Sequence, residues 1–247
     1  MSNDATPPEP DLIRQGEGGN GTGFLAEDHR KFFSPPAGRN KQPILEVLQQ
    51  HLGPSEEGTV LEVSSGSGQH VSHFAPNYPK LQFQPTEYPG FASPLAKGTQ
   101  DLSEILTSID AYCENCKNVL PAKFLDATAV AWPGEEDGVC PAHTAVITIN
   151  LCHISPFEVT KGLFAGAGRT LRPGGGLFFL YGPFKFGPGP ATPESNAAFD
   201  EKLRQLDPNF GIRNVQDIDE IASTHGLVRK ATHDMPASNH LLVYEKA

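Results

Sequence analysis

Thr59-Val60-Leu61-Glu62-Val63 runs straight into Ser64-Ser65-Gly66-Ser67-Gly68. The first five residues are β-branched or apolar around one acid, which is a strand pattern. The next five are small, and a helix is expected from about residue 69 to 74. A strand that breaks into a glycine-rich turn and then a helix opens an alternating α/β sheet. The rest of the chain keeps that alternation. A second strand is expected at 81–87, a long helical stretch at 94–118, and strands at 123–126 and 144–150. A helix over 156–171 is closed by Arg172-Pro173-Gly174-Gly175-Gly176 and leads into a strand at 177–181. Helices at 195–206 and 215–225 precede two strands, 227–233 and 240–245, joined by Met235-Pro236-Ala237-Ser238-Asn239. Continuous apolar strands suit a parallel sheet buried on both faces. The last connection is too short for a parallel crossover, so the final pair is antiparallel. The fold class is therefore a doubly wound, mostly parallel α/β sheet.

Upstream of this core the character changes. Residues 1–28 hold six acids (Asp4, Glu9, Asp11, Glu17, Glu27, Asp28) against Arg14, so half of the net charge of −10 lies there. Pro7, Pro8, Pro10 and five glycines share the stretch. Such a composition cannot offset its ordering entropy by burial and reads as a disordered tail, with one domain over 29–247. Arg30, Lys31, Arg39 and Lys41 then mark the domain's entrance. Asn40 is expected to cap a helix to about residue 52, with Pro43 in its first turn.

The charge balance excludes little by itself once the tail is set aside. It disfavours nucleic acid, since basic surface with interleaved aromatics is missing, without excluding it. No apolar run reaches the length of a spanning helix, so no membrane partner is expected. The polar, acidic start is neither a secretory signal nor a transit peptide, and four cysteines make no disulfide framework. A cytoplasmic location, or a nuclear one, follows as the expectation. Cys113-x-x-Cys116 has no second pair at zinc spacing, and His70-x-x-His73 has no third ligand, so no metal site is expected. The two histidines read as surface or packing residues.

Ligands of such sheets bind beyond the carboxyl ends of the strands. Glu62, Ser64, Gly66 and Gly68 lie where the first strand ends, and Glu87 closes the second, 19 residues after Gly68. An acid there can accept hydrogen bonds from both hydroxyls of a ribose. A dinucleotide fingerprint needs a third glycine where Val71 stands, and no Gly-Lys-Ser/Thr run is present, which argues against NAD and nucleoside triphosphates. S-adenosylmethionine has no pyrophosphate to cradle and fits better. Asp126, followed by small Ala127 at the end of the third strand, suits its adenine.

Several runs resemble the methyltransferase-like protein 26 family. They are Arg39-Asn40-Lys41-x-Pro43-Ile44-Leu45, Val60-Leu61-Glu62-Val63-x-Ser65-Gly66-Ser67-Gly68-Gln69-His70 and Gln84-Pro85-Thr86-Glu87. Ile149-Asn150-x-x-His153-Ile154-Ser155-Pro156, Tyr181-Gly182-Pro183-Phe184, Ser195-Asn196-x-x-Phe199-Asp200 and Met235-Pro236-Ala237-x-Asn239 belong with them. The resemblance spans roughly 34–246. It implies a seven-stranded, Rossmann-like class I methyltransferase fold with an antiparallel last strand, and no particular acceptor. Thr86-Glu87 departs from the Ser-Asp expected of the family, though the carboxylate is kept.

Methyl transfer from a sulfonium needs positioning and sometimes a base. Asn150 and His153 follow the fourth strand; Asn150 is a candidate for both cofactor and acceptor, and His153 is either a base or a wall residue. Tyr181 ends the fifth strand and is either a rim hydroxyl or a half-buried aromatic. Arg39 and Asn40, heading the first helix, are candidates for the cofactor's carboxylate end, with a plain surface arginine as the alternative. Ser155-Pro156 reads as a helix cap. Asn196 and Asn239 are ambiguous, and residues 185–193 read as a lid rich in Gly and Pro. The leading expectation is an S-adenosylmethionine-dependent methyltransferase acting on a small or medium-sized acceptor. The alternatives are a non-catalytic S-adenosylmethionine-binding scaffold and, more weakly, an NAD-dependent oxidoreductase. Oligomeric state is not legible.

Overall fold

The computed structural model describes residues 24–25, 28–88, 102–135 and 140–247. Most of the segment read as a tail lies outside them. Its described part is β1 (Phe24–Leu25) and Asp28, which starts β2 (Asp28–Phe32) and pairs antiparallel with β1. Then follow α1 (Pro35–His51), β3 (Gly58–Val63), α2 (Val71–Phe74), β4 (Leu81–Glu87), α3 (Leu102–Cys113), β5 (Lys123–Phe124) and β6 (Ala145–Ile149). The second half holds α4 (Phe157–Thr170), β7 (Leu177–Gly182), β8 (Phe184–Lys185), α5 (Glu194–Leu206), β9 (Arg213–Asn214), α6 (Val215–Thr224), β10 (Leu227–Met235) and β11 (Asn239–Lys246).

Seven strands form one sheet in the order β10-β11-β7-β6-β3-β4-β5. All the neighbours from β7 to β5 are parallel, and β11 alone runs against both of its neighbours. This is the doubly wound sheet expected. The chain leaves β3 toward β4 and later returns to β6 on its other side, so the switch point lies at the end of β3. Alternate strand residues feed two cores. Val60, Phe179 and Leu241 pack with α1, α2 and α3, while Leu61, Phe178 and Leu242 pack with α4 and α6. A third, small core of Ala191, Leu203, Phe210 and Ile212 lies under α5.

Some boundaries differ from expectation. The first helix starts at Pro35, five residues before Asn40. Ser34 is its cap, accepting from the Ala37 N–H, and the two leading prolines cost nothing where helix N–H groups lack partners anyway. Pro43 therefore sits inside the helix rather than in its first turn. The third helix ends at Cys113, not 118, because Asn118 is spent elsewhere: its side-chain amide donates to the carbonyls of Ala75, Tyr78 and Leu81. The expected start of that helix lies outside the described residues. Ser155 does not cap α4; its hydroxyl turns back to the Leu151 carbonyl, 2.9 Å away, and Pro156 takes the cap position. The edge strand β5 is two residues long, shorter than expected.

Candidate functional site

Beyond Val63 the backbone turns left-handed at Ser64 (φ 62°), Gly66 (φ 57°) and Gly68 (φ 92°). The Ser65 N–H donates to the Thr86 carbonyl at 2.8 Å, tying the loop to the end of β4. A Cβ on Gly68 would come within 2.7 Å of Ile109 Cα, so this glycine seats α3. A Cβ on Gly66 would meet nothing within 4 Å. Gly66 thus borders open space and leaves the loop backbone free to approach a ligand.

Two buried acids lie by the loop. Glu87 is buried, and its carboxylate accepts from Ser64 Oγ (2.8 Å), Gly66 N–H (2.7 Å) and Tyr88 N–H (2.8 Å). Burial raises its pKa and these three bonds oppose the rise. Its oxygens brace the loop, and a carboxylate keeps acceptor capacity beyond these three bonds. Glu62, in β3, is 2% exposed. Burial pushes its pKa up to about 8, against the Ser65 hydroxyl and with Glu87 adding to the rise. Its Oε2 has no hydrogen-bond partner among the described residues. An orphaned buried oxygen is costly, and a ligand donor would relieve it.

Asp126 is two residues past β5, where the Leu125 N–H donates to the Glu87 carbonyl at 2.9 Å. Its Oδ1 accepts from the N–H and hydroxyl of Thr128, at 2.8 and 2.7 Å. Ala127 is buried beneath α4, whose Gly162 abuts the Ala127 carbonyl.

The head of α1 closes over the loop. Gln69 Oε1 accepts from the Ser34 N–H (2.5 Å) and from Ser67 Oγ (3.0 Å), and Gln69 is buried. Asn40 Oδ1 lies 2.8 Å from His70 Nε2, and the Asn40 side chain lies near the Tyr181 hydroxyl. His70 is a buried link in this chain, not a surface residue, and burial pushes its pKa down to about 3. Tyr181 is 3% exposed, more deeply buried than either reading of it assumed. Burial raises its pKa, opposed by Asn40 and the charge of Arg39. Arg39 itself is exposed.

Asn150 also turns left-handed (φ 60°), and its N–H donates to the Tyr181 carbonyl at 2.9 Å, joining the ends of β6 and β7. His153 follows in a short 3-10 turn, Cys152–Ile154. It is buried, with its ring edge-on to Phe199 at 5.7 Å. Burial and the charge of Arg213 push its pKa down to about 3. Asn196 is buried and donates to the Ser238 carbonyl at 2.9 Å, drawing α5 to the β10–β11 turn. Among the described residues the Asn239 side chain bonds within that turn, donating to the carbonyls of Pro236 and Ala237.

Residues 31–246 match the family described as "Protein of unknown function (DUF938)". The chain belongs to that family. Among solved structures, the DUF938 chain is similar to an O-methyltransferase family protein from Burkholderia thailandensis, at 16% identity and a TM-score of 0.64, over 85% of this chain and 57% of that one. It is similar to an O-methyltransferase family 2 protein from Planctomyces limnophilus in complex with apigenin, at 18% identity and a TM-score of 0.64, over 86% and 58%. CalO1, a methyltransferase of calicheamicin biosynthesis solved with S-adenosylhomocysteine (SAH), matches at 13% identity and a TM-score of 0.57, over 86% and 54%. The DUF938 chain spans little more than half the length of these proteins, and the likeness is one of fold. Among its described residues no group of three or more His, Cys, Asp or Glu side chains could hold a metal, and no helix is long and apolar enough to cross a membrane.

In this DUF938 chain the structure gathers Glu62, Ser64, Gly66 and Glu87 around one loop. It links Asn40 to His70 and Asn150 to the Tyr181 backbone. Sequence reasoning gave no role to Gln69, and it missed His70 as a site residue and Arg213 altogether. The polar pair directly after the glycine loop was a usable signal for the first two; nothing in the sequence marked Arg213.

Proposed function

We propose that this chain binds S-adenosylmethionine and transfers its methyl group to a small or medium-sized acceptor. The observation that carries the reading is the open face of Gly66, whose N–H is held by the Glu87 carboxylate, with buried Glu62 close to Glu87. Those donors and acceptors fit a ligand with an amino-acid end and a ribose. Glu62 would meet the ammonium, Arg39 the carboxylate, Glu87 the ribose hydroxyls, and Asp126 with Ala127 the adenine edge. The fold likeness to O-methyltransferases, one of them bound to SAH, supports the same cofactor. The motif resemblance supports a closer kinship with methyltransferase-like protein 26.

Bound S-adenosylmethionine supplies a methyl group already activated on its sulfonium, so the protein's share is mainly positioning. Asn150, Tyr181 and His153, at the ends of β6 and β7, are the groups to orient an acceptor. His153 enters the reaction neutral, the form that can take a proton. The low pKa also makes it a weak base, and that observation favours a second reading, binding without turnover.

Titration calorimetry with S-adenosylmethionine and SAH tests the binding. Micromolar affinity is expected, lost in Gly66→Arg and weakened about tenfold or more in Glu87→Ala, the scale of lost charge-assisted hydrogen bonds. Failure of both ligands to bind overturns the reading. Incubating the protein and methyl-labelled S-adenosylmethionine with a metabolite extract separates the alternatives. A labelled product that disappears with His153→Ala establishes turnover, and its absence leaves the scaffold.

A further inference from the structure

We propose that Arg213 is the positioning residue of His153: it clamps the turn that carries the imidazole and sets a fixed positive charge behind it. The proposal rests on the reading of His153 as an acceptor-side group. The guanidinium is half-buried in β9 and bonds to backbone carbonyls from two sides. Nε donates to the Cys152 carbonyl at 2.9 Å, and Nη2 donates to those of Ser155 (2.5 Å) and Asn209 (2.9 Å). The plane stands 5.4 Å over the Phe157 ring. The His153 carbonyl accepts from the Gly211 N–H at 3.0 Å. Residues 152, 153 and 155 are thus all held from the single stretch 211–213. The imidazole is confined between Phe199, at 5.7 Å, and Gly182, where a Cβ would stand 3.4 Å from Nδ1.

One guanidinium reaching three diverging carbonyls is a task for a planar fork, not for a lysine. Among the described residues no carboxylate bonds to it. Asp200, the acid that faces it from α5, is engaged by Arg204 (3.2 Å) and by the Ile212 N–H (2.6 Å). The other ionisable groups facing Arg213 are Arg204, from α5, and the Cys152 thiol, from the turn. The charge therefore remains to act on His153, and with burial it keeps the ring neutral.

The test is an NMR titration of labelled histidine side chains in wild type, Arg213→Gln and Arg213→Lys. Arg213→Gln should raise the His153 midpoint by about one pH unit or more, the scale of losing one nearby charge in a dry site. Arg213→Lys keeps the charge and should leave the midpoint close to wild type while loosening the turn. A purely structural arginine would lower the melting temperature of both variants and move neither midpoint, which overturns the proposal. So does an equal shift in both. A second measurement needs no variant: the wild-type Arg213 Nε–H should exchange slowly with solvent and show contacts to the Phe157 ring. Fast exchange overturns the clamp even where Arg213→Gln fails to fold. SAH calorimetry on the same samples reports on cofactor binding separately, since Arg213 is not placed among the groups that would hold it.

Discussion

Gly66 and Gly68 stand two residues apart at positive φ, yet they serve different ends. Alanine at Gly66 meets no atom and pays only the left-handed backbone, about 1 kcal/mol. Alanine at Gly68 adds a collision with the α3 backbone at Ile109, which raises the cost to about 2–4 kcal/mol. Urea denaturation should rank Gly68→Ala well below Gly66→Ala in stability. SAH calorimetry should show the reverse bias, with Gly66→Ala losing affinity out of proportion to its small stability loss. Equal losses of stability would mean that Gly66 is also packed. These glycines and the acids Glu62, Glu87 and Asp126 were legible in the sequence because turn chemistry and strand ends are local. The raised pKa of Glu62 was not, because the burial that causes it comes from packing outside its own strand. The partner of buried His70 escaped for the same reason: Asn40 is 30 residues away.

At the scale of elements, two of the packed glycines of α4 face different neighbours. Gly166 abuts the Trp132 ring, and Gly162 abuts the backbone of Ala127 and Thr128. Gly166→Ala should overpack the core and cost about 1–3 kcal/mol, with a red shift in fluorescence as Trp132, the chain's one tryptophan, is displaced. Gly162→Ala should cost a similar amount and also weaken SAH binding, because it moves the turn proposed for the adenine. Fluorescence unchanged in Gly166→Ala would mean the ring has room to spare. The strands that the sequence revealed are those with long apolar runs, such as β6 and β7. The two-residue strands β8 and β9 escaped, since so short a piece has no period and is placed by its partner alone. Residues 185–193, read as a lid, begin in fact with a paired strand end. The start of α1 was hidden by Pro35-Pro36, which resembles a loop until the N-terminal position makes both prolines harmless.

For the whole molecule, the buried ionisable groups of the ligand-free protein set its dependence on pH. Burial pushes His70 and His153 down to about 3 and His143 to about 4, while it pushes Glu62 up to about 8. The unfolded chain titrates its histidines near ~6.5 and its glutamates near ~4.3. Below about pH 6.5 the unfolded state takes up three protons that the folded state refuses, so acid destabilises. Above about pH 4.3 folded Glu62 keeps a proton that the unfolded state has lost, so stability drains as pH rises toward 8 and the drain ends once folded Glu62 ionises. The histidines dominate at pH 5, where about two net protons give a slope near 3 kcal/mol per pH unit. The two effects balance near pH 7, and Glu62 alone accounts for a loss of about 1 kcal/mol between pH 7 and 9. Surface ion pairs such as Lys80–Glu57 and Lys161–Glu158 are exposed and alter this little. Urea denaturation at pH 5, 7 and 9 should therefore show a steep acid limb, a maximum near neutrality and a shallow alkaline decline. Glu62→Gln removes one group behind the decline, beside the Cys113 and Cys152 thiols that burial holds protonated, so it should lessen the alkaline loss and steepen the acid side. A wild type as stable at pH 5 as at pH 7 would show that the three histidines are not held neutral in the fold.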